Sequence, residues 1–216
     1  MCPCHAEKPN FKVTIQNMQP YRSELSPLFV DMFTKTVGLA DAEFDLLISH
    51  FNREYIPRKY FYLKARQVCT HTAYLNKGSA RTFTVDDRGG EHILFFAFED
   101  WWLGDLESYH TQKPGKLFIQ AMEDCELLCI LKTALDKLEQ QIPKLKEWHA
   151  AKQTKSHFAT LNRLAEVKSM SPEERYLQLM KKYPHIFQRI PLQYIASYLD
   201  IEPPSLSRLR KRLSGK

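Results

Sequence analysis

Leu192-Gln193-Tyr194-Ile195-Ala196-Ser197-Tyr198-Leu199-Asp200-Ile201-Glu202-Pro203-Pro204-Ser205-Leu206-Ser207-Arg208-Leu209-Arg210-Lys211-Arg212-Leu213 holds two helical periods around one break. Leu192, Ile195, Ala196 and Leu199 fall on one face of a first helix, and the small Ala196 lets another helix approach closely. Asp200 tolerates the left-handed backbone that a sharp turn between helices needs, Ile201 plugs the corner, and the prolines suit the start of a helix. A second helix is predicted from about Pro204 to Leu213, with Leu206, Leu209 and Leu213 clustered on its inner side.

The outer side of that second helix carries Pro204, Ser207, Arg208 and Lys211, with Ser205 beside them and Arg210 and Arg212 flanking the apolar stripe. Arginine presents a planar fork that matches guanine, and serine donates or accepts, so the outward group suits base edges in a major groove. The flanking arginines suit phosphates. Charge placement agrees: from Ser205 to Lys216 there are five basic residues and no acidic one, which is most of the chain's net +6. A solvated basic tail is the alternative on charge alone.

Upstream the pattern is helical as well. Ser171-Pro172-Glu173-Glu174 is a capping box, and Tyr176, Leu179, Met180 and Tyr183 line the buried side of the helix it starts, which Pro184 ends. Pro143 opens a long helix without Gly or Pro to Val167. On it Ala151, Thr154, Phe158, Leu161 and Ala165 alternate by three and four, a short seam suited to a second copy of the chain or to covering its own β-region.

Between about Tyr55 and Leu131 short β-branched and aromatic runs alternate with turn signals at Asn76-Lys77-Gly78, Asp86-Asp87-Arg88-Gly89-Gly90 and Lys113-Pro114-Gly115, which predicts antiparallel strands. Ile93 to Phe98 and Leu127 to Leu131 are apolar on both alternations, as in strands buried on two sides. Asp41 is the expected N-cap of an earlier helix whose buried face is Phe44, Leu47, Ile48 and Phe51. The first ~20 residues, with Pro3, Pro9 and Pro20, show no period.

The composition is that of a folded soluble protein, with 216 residues, 44% hydrophobic, 26% charged and only 7 glycines, and the change from strand to helix patterning after Lys132 makes the expected class α+β. No run approaches the ~20 apolar residues of a membrane span, and the start lacks a signal-peptide pattern, so a cytoplasmic location without membrane contact is expected. The five cysteines have no framework spacing.

In order and spacing these segments resemble the Crp/Fnr superfamily of bacterial regulators, over roughly Phe44 to Leu213. The resemblance is carried by Tyr74 to Ser79, Asp87 to Leu94, Trp102-Leu103-Gly104-Asp105-Leu106, Ala121 to Leu127 and Ile195 to Leu213. It implies a lead-in over 1–38 that is irregular or helical, a cyclic-nucleotide-binding-like antiparallel β-roll sensor domain over 39–142, a dimerisation helix over 143–168 and a helix-turn-helix domain over 169–216. The β-hairpin wing that follows the recognition helix in relatives is expected to be truncated or missing, since the sequence stops at Lys216.

The resemblance implies a homodimeric, sequence-specific transcription regulator that binds double-stranded DNA, with RNA polymerase as a further candidate partner. Arg208 aligns with an arginine that reads guanine in many relatives, while Pro203 and Pro204 replace an arginine and a glutamate, so a different operator is expected. The effector is unknown. Gly104-Asp105 stands where nucleotide-binding relatives have a Gly-Glu pair, but their phosphate-gripping arginine falls at Gly115, with Lys116 beside it. Cyclic AMP is therefore not expected. The candidate effector pocket is Trp102, Gly104, Asp105 and Lys116, although core packing is the commoner fate of tryptophans such as Trp101 and Trp102.

Cys2-Pro3-Cys4-His5 does not match the spacing of the iron-sulfur branch, and Cys125 and Cys129 sit on an apparent strand, so no metal is expected. No P-loop or nucleophile elbow is present and no catalytic residue is assigned, so no enzymatic activity is expected. The alternative function is a ligand-independent β-roll dimer that acts as a protein-interaction module.

Overall fold

The alternation from Phe51 onward resolves into two antiparallel sheets in the computed structural model, which describes residues 16–17 and 19–214. Cys2 and Cys4 lie outside the described residues. The strands are β1 (Gln16–Asn17), β2 (Phe51–Ile56), β3 (Phe61–Leu63), β4 (His71–Lys77), β5 (Ala80–Val85), β6 (Glu91–Ala97), β7 (Trp101–Leu103), β8 (Phe118–Ala121) and β9 (Cys125–Leu131). One sheet has the order β1-β2-β9-β4-β7 and the other β3-β8-β5-β6. β1 falls in the stretch expected to be irregular, and backbone pairing of Gln16 with Arg53 makes it a strand without any periodic signal.

The strands with no polar alternation are the ones covered on both faces. In β9, Leu127 and Cys129 point between the sheets with Ala73, Leu75 and Ile119. Leu128 and Ile130 point outward, onto helices. Such double burial removes the polar half of the pattern that a one-sided strand keeps. Gly78 closes the β4–β5 hairpin at φ +103°, and a β-carbon there would lie 2.7 Å from the Asp124 carbonyl, so the turn requires glycine sterically as well as conformationally.

Helices flank both sheets. After a 3-10 turn (Gln19–Glu24) come α1 (Pro27–Asp31), a π-helical turn (Met32–Thr36) and α2 (Asp41–Ile48). Asp41 is the first residue of α2 and not its cap, because its carboxylate pairs with Arg22 at 2.9 Å while Glu43 accepts from the Ala40 amide. Phe44, Leu47 and Ile48 of the expected α2 face are at most 2% exposed, but Phe51 is not on the helix: α2 ends at Ile48 and Phe51 opens β2, where pairing with Ile130 takes over from the helical period. α3 (Leu106–Thr111) lies between β7 and β8, and α4 (Lys132–Gln141) leads into the long α5 (Pro143–Ser169). Pro143 does open α5, which is about 40 Å long at 1.5 Å per residue.

The inner part of α5 joins the aromatic core outside the first sheet. Phe33 meets Trp148 at 4.9 Å between ring centroids, and Trp148 meets Trp102 at 5.5 Å. Lys152 sits 3.6 Å above the Trp102 ring. The outer part is different: Ala151, Thr154, Phe158, Leu161 and Ala165 are all exposed, so the seam does not cover the chain's own β-region.

The remaining helices are α6 (Pro172–Lys182), α7 (Ile186–Arg189), α8 (Leu192–Tyr198) and α9 (Pro203–Ser214). Their core continues into the second sheet, where Phe83, Ile93, Phe96 and Met122 pack with Ile190, Ile195 and Leu206. That packing explains why β6 reads as apolar on both sides. No helix among the described residues is long and apolar enough to cross a membrane.

Candidate nucleic-acid interface

The helix start at Ser171 forms as its residues dictate. Its hydroxyl accepts from the Glu174 amide and Glu174 accepts in return from the Ser171 amide, so α6 begins with two backbone donors satisfied. Tyr176 and Leu179 face inward. So does Arg175, which is 7% exposed. Its Nη1 donates to the carbonyls of Val167 and Met170 and its Nη2 to that of Leu199 at 2.8 Å, which ties the end of α5, the start of α6 and the end of α8 together.

α8 turns into α9 through Asp200, at φ 55°. The Ile201 amide donates back to the Ala196 carbonyl at 3.1 Å. A non-glycine residue in this region is held there by its surroundings, and the short polar side chain of aspartate adopts it with less strain than most. Leu206 at 0% and Leu209 at 7% exposure close the inner face, and burying a leucine of this kind contributes about 1.5–3 kcal/mol. The face opposite is open: Pro204, Ser207, Arg208 and Lys211 are exposed, as are Arg210 and Arg212, and Ser205 is half-buried.

Several of these side chains have local partners that orient them. Arg208 Nη2 donates to Ser205 Oγ at 3.2 Å, and Ser207 Oγ donates to the Pro203 carbonyl at 3.1 Å. The Arg210 guanidinium stacks on Phe187 at 4.1 Å. Arg212 pairs with Glu173. Two surface grooves run along α9, one lined by Ser207, Arg210 and Lys211, the other by Glu173, Ser205, Arg208 and Arg212. A cationic ridge bordered by grooves suits a polyanion.

Sequence reasoning missed the side chains that hold this unit against the β-strands. Ser197 Oγ donates to the Glu91 carbonyl at 3.0 Å and accepts from the Ile93 amide at 3.1 Å, so one side chain of α8 continues the hydrogen-bonding edge of β6. Arg81, almost fully buried, pairs with Glu91 and lies 3.9 Å from the Tyr194 ring centre. Arg189 reaches Glu99 at 2.8 Å and Glu123 at 2.5 Å. Hydrogen bonds to Glu123 and Glu99 raise Arg189 above its ordinary value, against burial. Arg175 did leave a trace in the sequence, since a charged residue four before the buried Leu179 shares its face.

The candidate effector residues separate into two places. Trp102 belongs to the aromatic core with Phe51, Tyr74 and Trp148. Asp105, 3% exposed, caps α3 by accepting from the Ser108 amide at 3.1 Å. Gly115 packs against that carboxylate, while Gly104 borders Thr72 and Cys69, and Lys116 is exposed. Ser108 Oγ accepts from the Cys69 amide and donates to the Lys113 carbonyl, which fastens the segment before β8 to α3.

Cys69, Cys125 and Cys129 are buried, and burial pushes all three thiols up, Cys125 to about 11. They behave as apolar core groups. Among the described residues no three His, Cys, Asp or Glu side chains are placed to hold a metal ion.

No protein-family model and no curated protein sequence matches the chain. Solved structures do. The c-di-GMP-responsive global regulator CLP of Xanthomonas campestris is 15% identical with a TM-score of 0.65, over 82% of this chain and 92% of that one. FixK2 of Bradyrhizobium japonicum is 12% identical with a TM-score of 0.66, over 76% and 85%. The catabolite activator protein of Thermus thermophilus is 20% identical with a TM-score of 0.51, over 88% and 87%. At these identities the similarity is one of architecture, and in architecture this chain has the fold of the Crp/Fnr-family regulators, with a cyclic-nucleotide-binding-type β-roll.

Proposed function

We propose that the chain is a sequence-specific DNA-binding transcription regulator that acts in the cytoplasm as a homodimer. The observation that carries this reading is the open face of α9, where Pro204, Ser207, Arg208 and Lys211 are exposed on a helix whose inner face is locked in the core. A helix so placed enters a major groove with its first turns toward the bases. Ser207, Arg208 and Lys211 supply base-reading groups, and Arg210 and Arg212 supply phosphate contacts.

The dimer reading rests on α5. Phe158, Leu161 and Leu164 are 57%, 46% and 52% exposed along one stretch of helix, an apolar seam that a second copy would cover. A two-fold dimer places two copies of α9 at equivalent half-sites. The signal is not cyclic AMP in this reading, because Gly115 stands where nucleotide-binding relatives carry the arginine that grips the cyclic phosphate, and the neighbouring Lys116 is exposed.

Selection of bound sequences from random duplex DNA tests the function and returns the operator. An inverted repeat with affinity that falls as salt rises is the expected result. Recovery of no enriched sequence, with no salt-dependent binding of any duplex, would favour a protein-interaction module on the same fold.

A further inference from the structure

Three elements converge on the last turn of α8. From the β-strands, Ser197 bonds to β6 through Glu91 and Ile93. From α6, Arg175 donates to the Leu199 carbonyl. From α5, Arg163 Nη2 donates to the Tyr198 carbonyl, and its guanidinium covers the Tyr198 ring at 3.9 Å. That ring also meets Phe96 of β6 at 5.3 Å. Carbonyls at a helix end lack partners within the helix, so an arginine that supplies one also fixes where the helix ends in space.

Arg163 is well placed to transmit position and not only to satisfy a carbonyl. Its side chain is 16% exposed and is steadied along α5 by Glu166 at 3.6 Å. Leu161 and Leu164, which flank it in sequence, belong to the exposed apolar seam. The same two turns of α5 thus carry the seam on one face and grip the helix-turn-helix on another. Arginine suits this task because one planar fork both donates to an oxygen and stacks on a ring.

We propose that Arg163 is a positioning residue that sets the separation of the two α9 helices in a dimer, and so the spacing between DNA half-sites that the protein accepts. This rests on the reading of the chain as a dimeric DNA-binding protein. Arg163 fixes the geometry between seam and recognition helix without touching DNA, so its removal should relax spacing while leaving recognition of a half-site intact.

The test uses the full chain and duplexes that carry two copies of the selected half-site as inverted repeats, with centre-to-centre spacing varied one base pair at a time around one helical turn. The wild type is expected to favour one spacing over its neighbours by about tenfold, and Arg163→Ala to reduce that preference to about threefold or less. Affinity for a single half-site should stay within about twofold of the wild type. Tyr198→Leu removes the stacked ring from the other side of the same pair and should broaden the profile likewise, which keeps the test decisive if Arg163→Ala does not fold. An unchanged profile in a folded variant, or an equal fall in affinity at every spacing, overturns the proposal. A wild type that binds DNA with no spacing preference also overturns it and leaves the functional reading standing. A wild type that binds no duplex removes both.

Discussion

The Asp105 carboxylate stands directly over Gly115, so close that a β-carbon on Gly115 would lie 2.2 Å from Oδ2. The other oxygen of the same carboxylate caps α3. Asp105 therefore fills the space over Gly115 while it caps α3, and a residue without a β-carbon is what leaves room for it.

Gly115→Ala is expected to push Asp105 off its cap and to lower stability by about 0.5–2 kcal/mol, read as a fall in the urea midpoint. Gly115→Arg should not produce cyclic AMP binding, because the new side chain would meet Asp105 first. Calorimetry checks this, and saturable micromolar binding by either the wild type or Gly115→Arg would contradict the assignment.

If α5 forms the proposed dimer, Phe158→Glu combined with Leu161→Glu should leave the chain monomeric at micromolar concentration without loss of folded structure, since both side chains are exposed in the single chain. Sedimentation velocity separates the two species. A variant that remains dimeric would place the interface elsewhere on the molecule.

The clamp made by Arg189 gives the docking of the helix-turn-helix a pH dependence. Burial pushes the Glu99 carboxyl up, but hydrogen bonds from Arg189 and nearby amides outweigh it and leave it below the ordinary 4.5. At Glu123 the Arg189 hydrogen bond is the leading cause, and the carboxyl is again lowered. Carboxyls depressed in the folded state contribute stability that is fully present above about pH 4.5 and is lost as pH falls through the lowered values. Arg189→Met should therefore melt below the wild type at pH 7, with the difference shrinking as pH falls below about 4.5 and through the lowered values. A difference that does not change with pH over this range would contradict an electrostatic clamp.

The helix-turn-helix was legible because each of its parts has a local cause: the Leu206 and Leu209 stripe, the left-handed Asp200 and the capping box at Ser171. β6 and β9 were legible as doubly buried strands for the same reason. What covers β6 was not, since Ser197 and Arg189 reach partners about 70–100 residues away and no short-range pattern encodes such pairings. Trp102 shows a related limit. Its neighbours Gly104 and Asp105 follow it in sequence, but β7 ends at Leu103: Trp102 turns its ring toward Tyr74 and Trp148, while Asp105 turns away to cap α3. Spacing alone grouped residues that the fold separates.

In the proposed function α9 reads bases through Arg208 and holds the DNA backbone through its flanking cations. Among the described residues no carboxylate lies within ion-pair reach of Arg208, whereas Arg212 is steadied by Glu173. The most direct measurement is the affinity of wild type, Arg208→Ala and Arg212→Ala for the selected operator and for each of its single-base variants, across a range of salt. Arg208→Ala should weaken binding by about 1–3 kcal/mol per half-site and become indifferent to one base position in each. Arg212→Ala should weaken all sequences alike and reduce the salt slope by about one for each phosphate that the arginine no longer neutralises. A uniform fall in affinity for both variants, with no position relaxed by Arg208→Ala, would contradict base reading by α9 and reduce the helix to a basic surface.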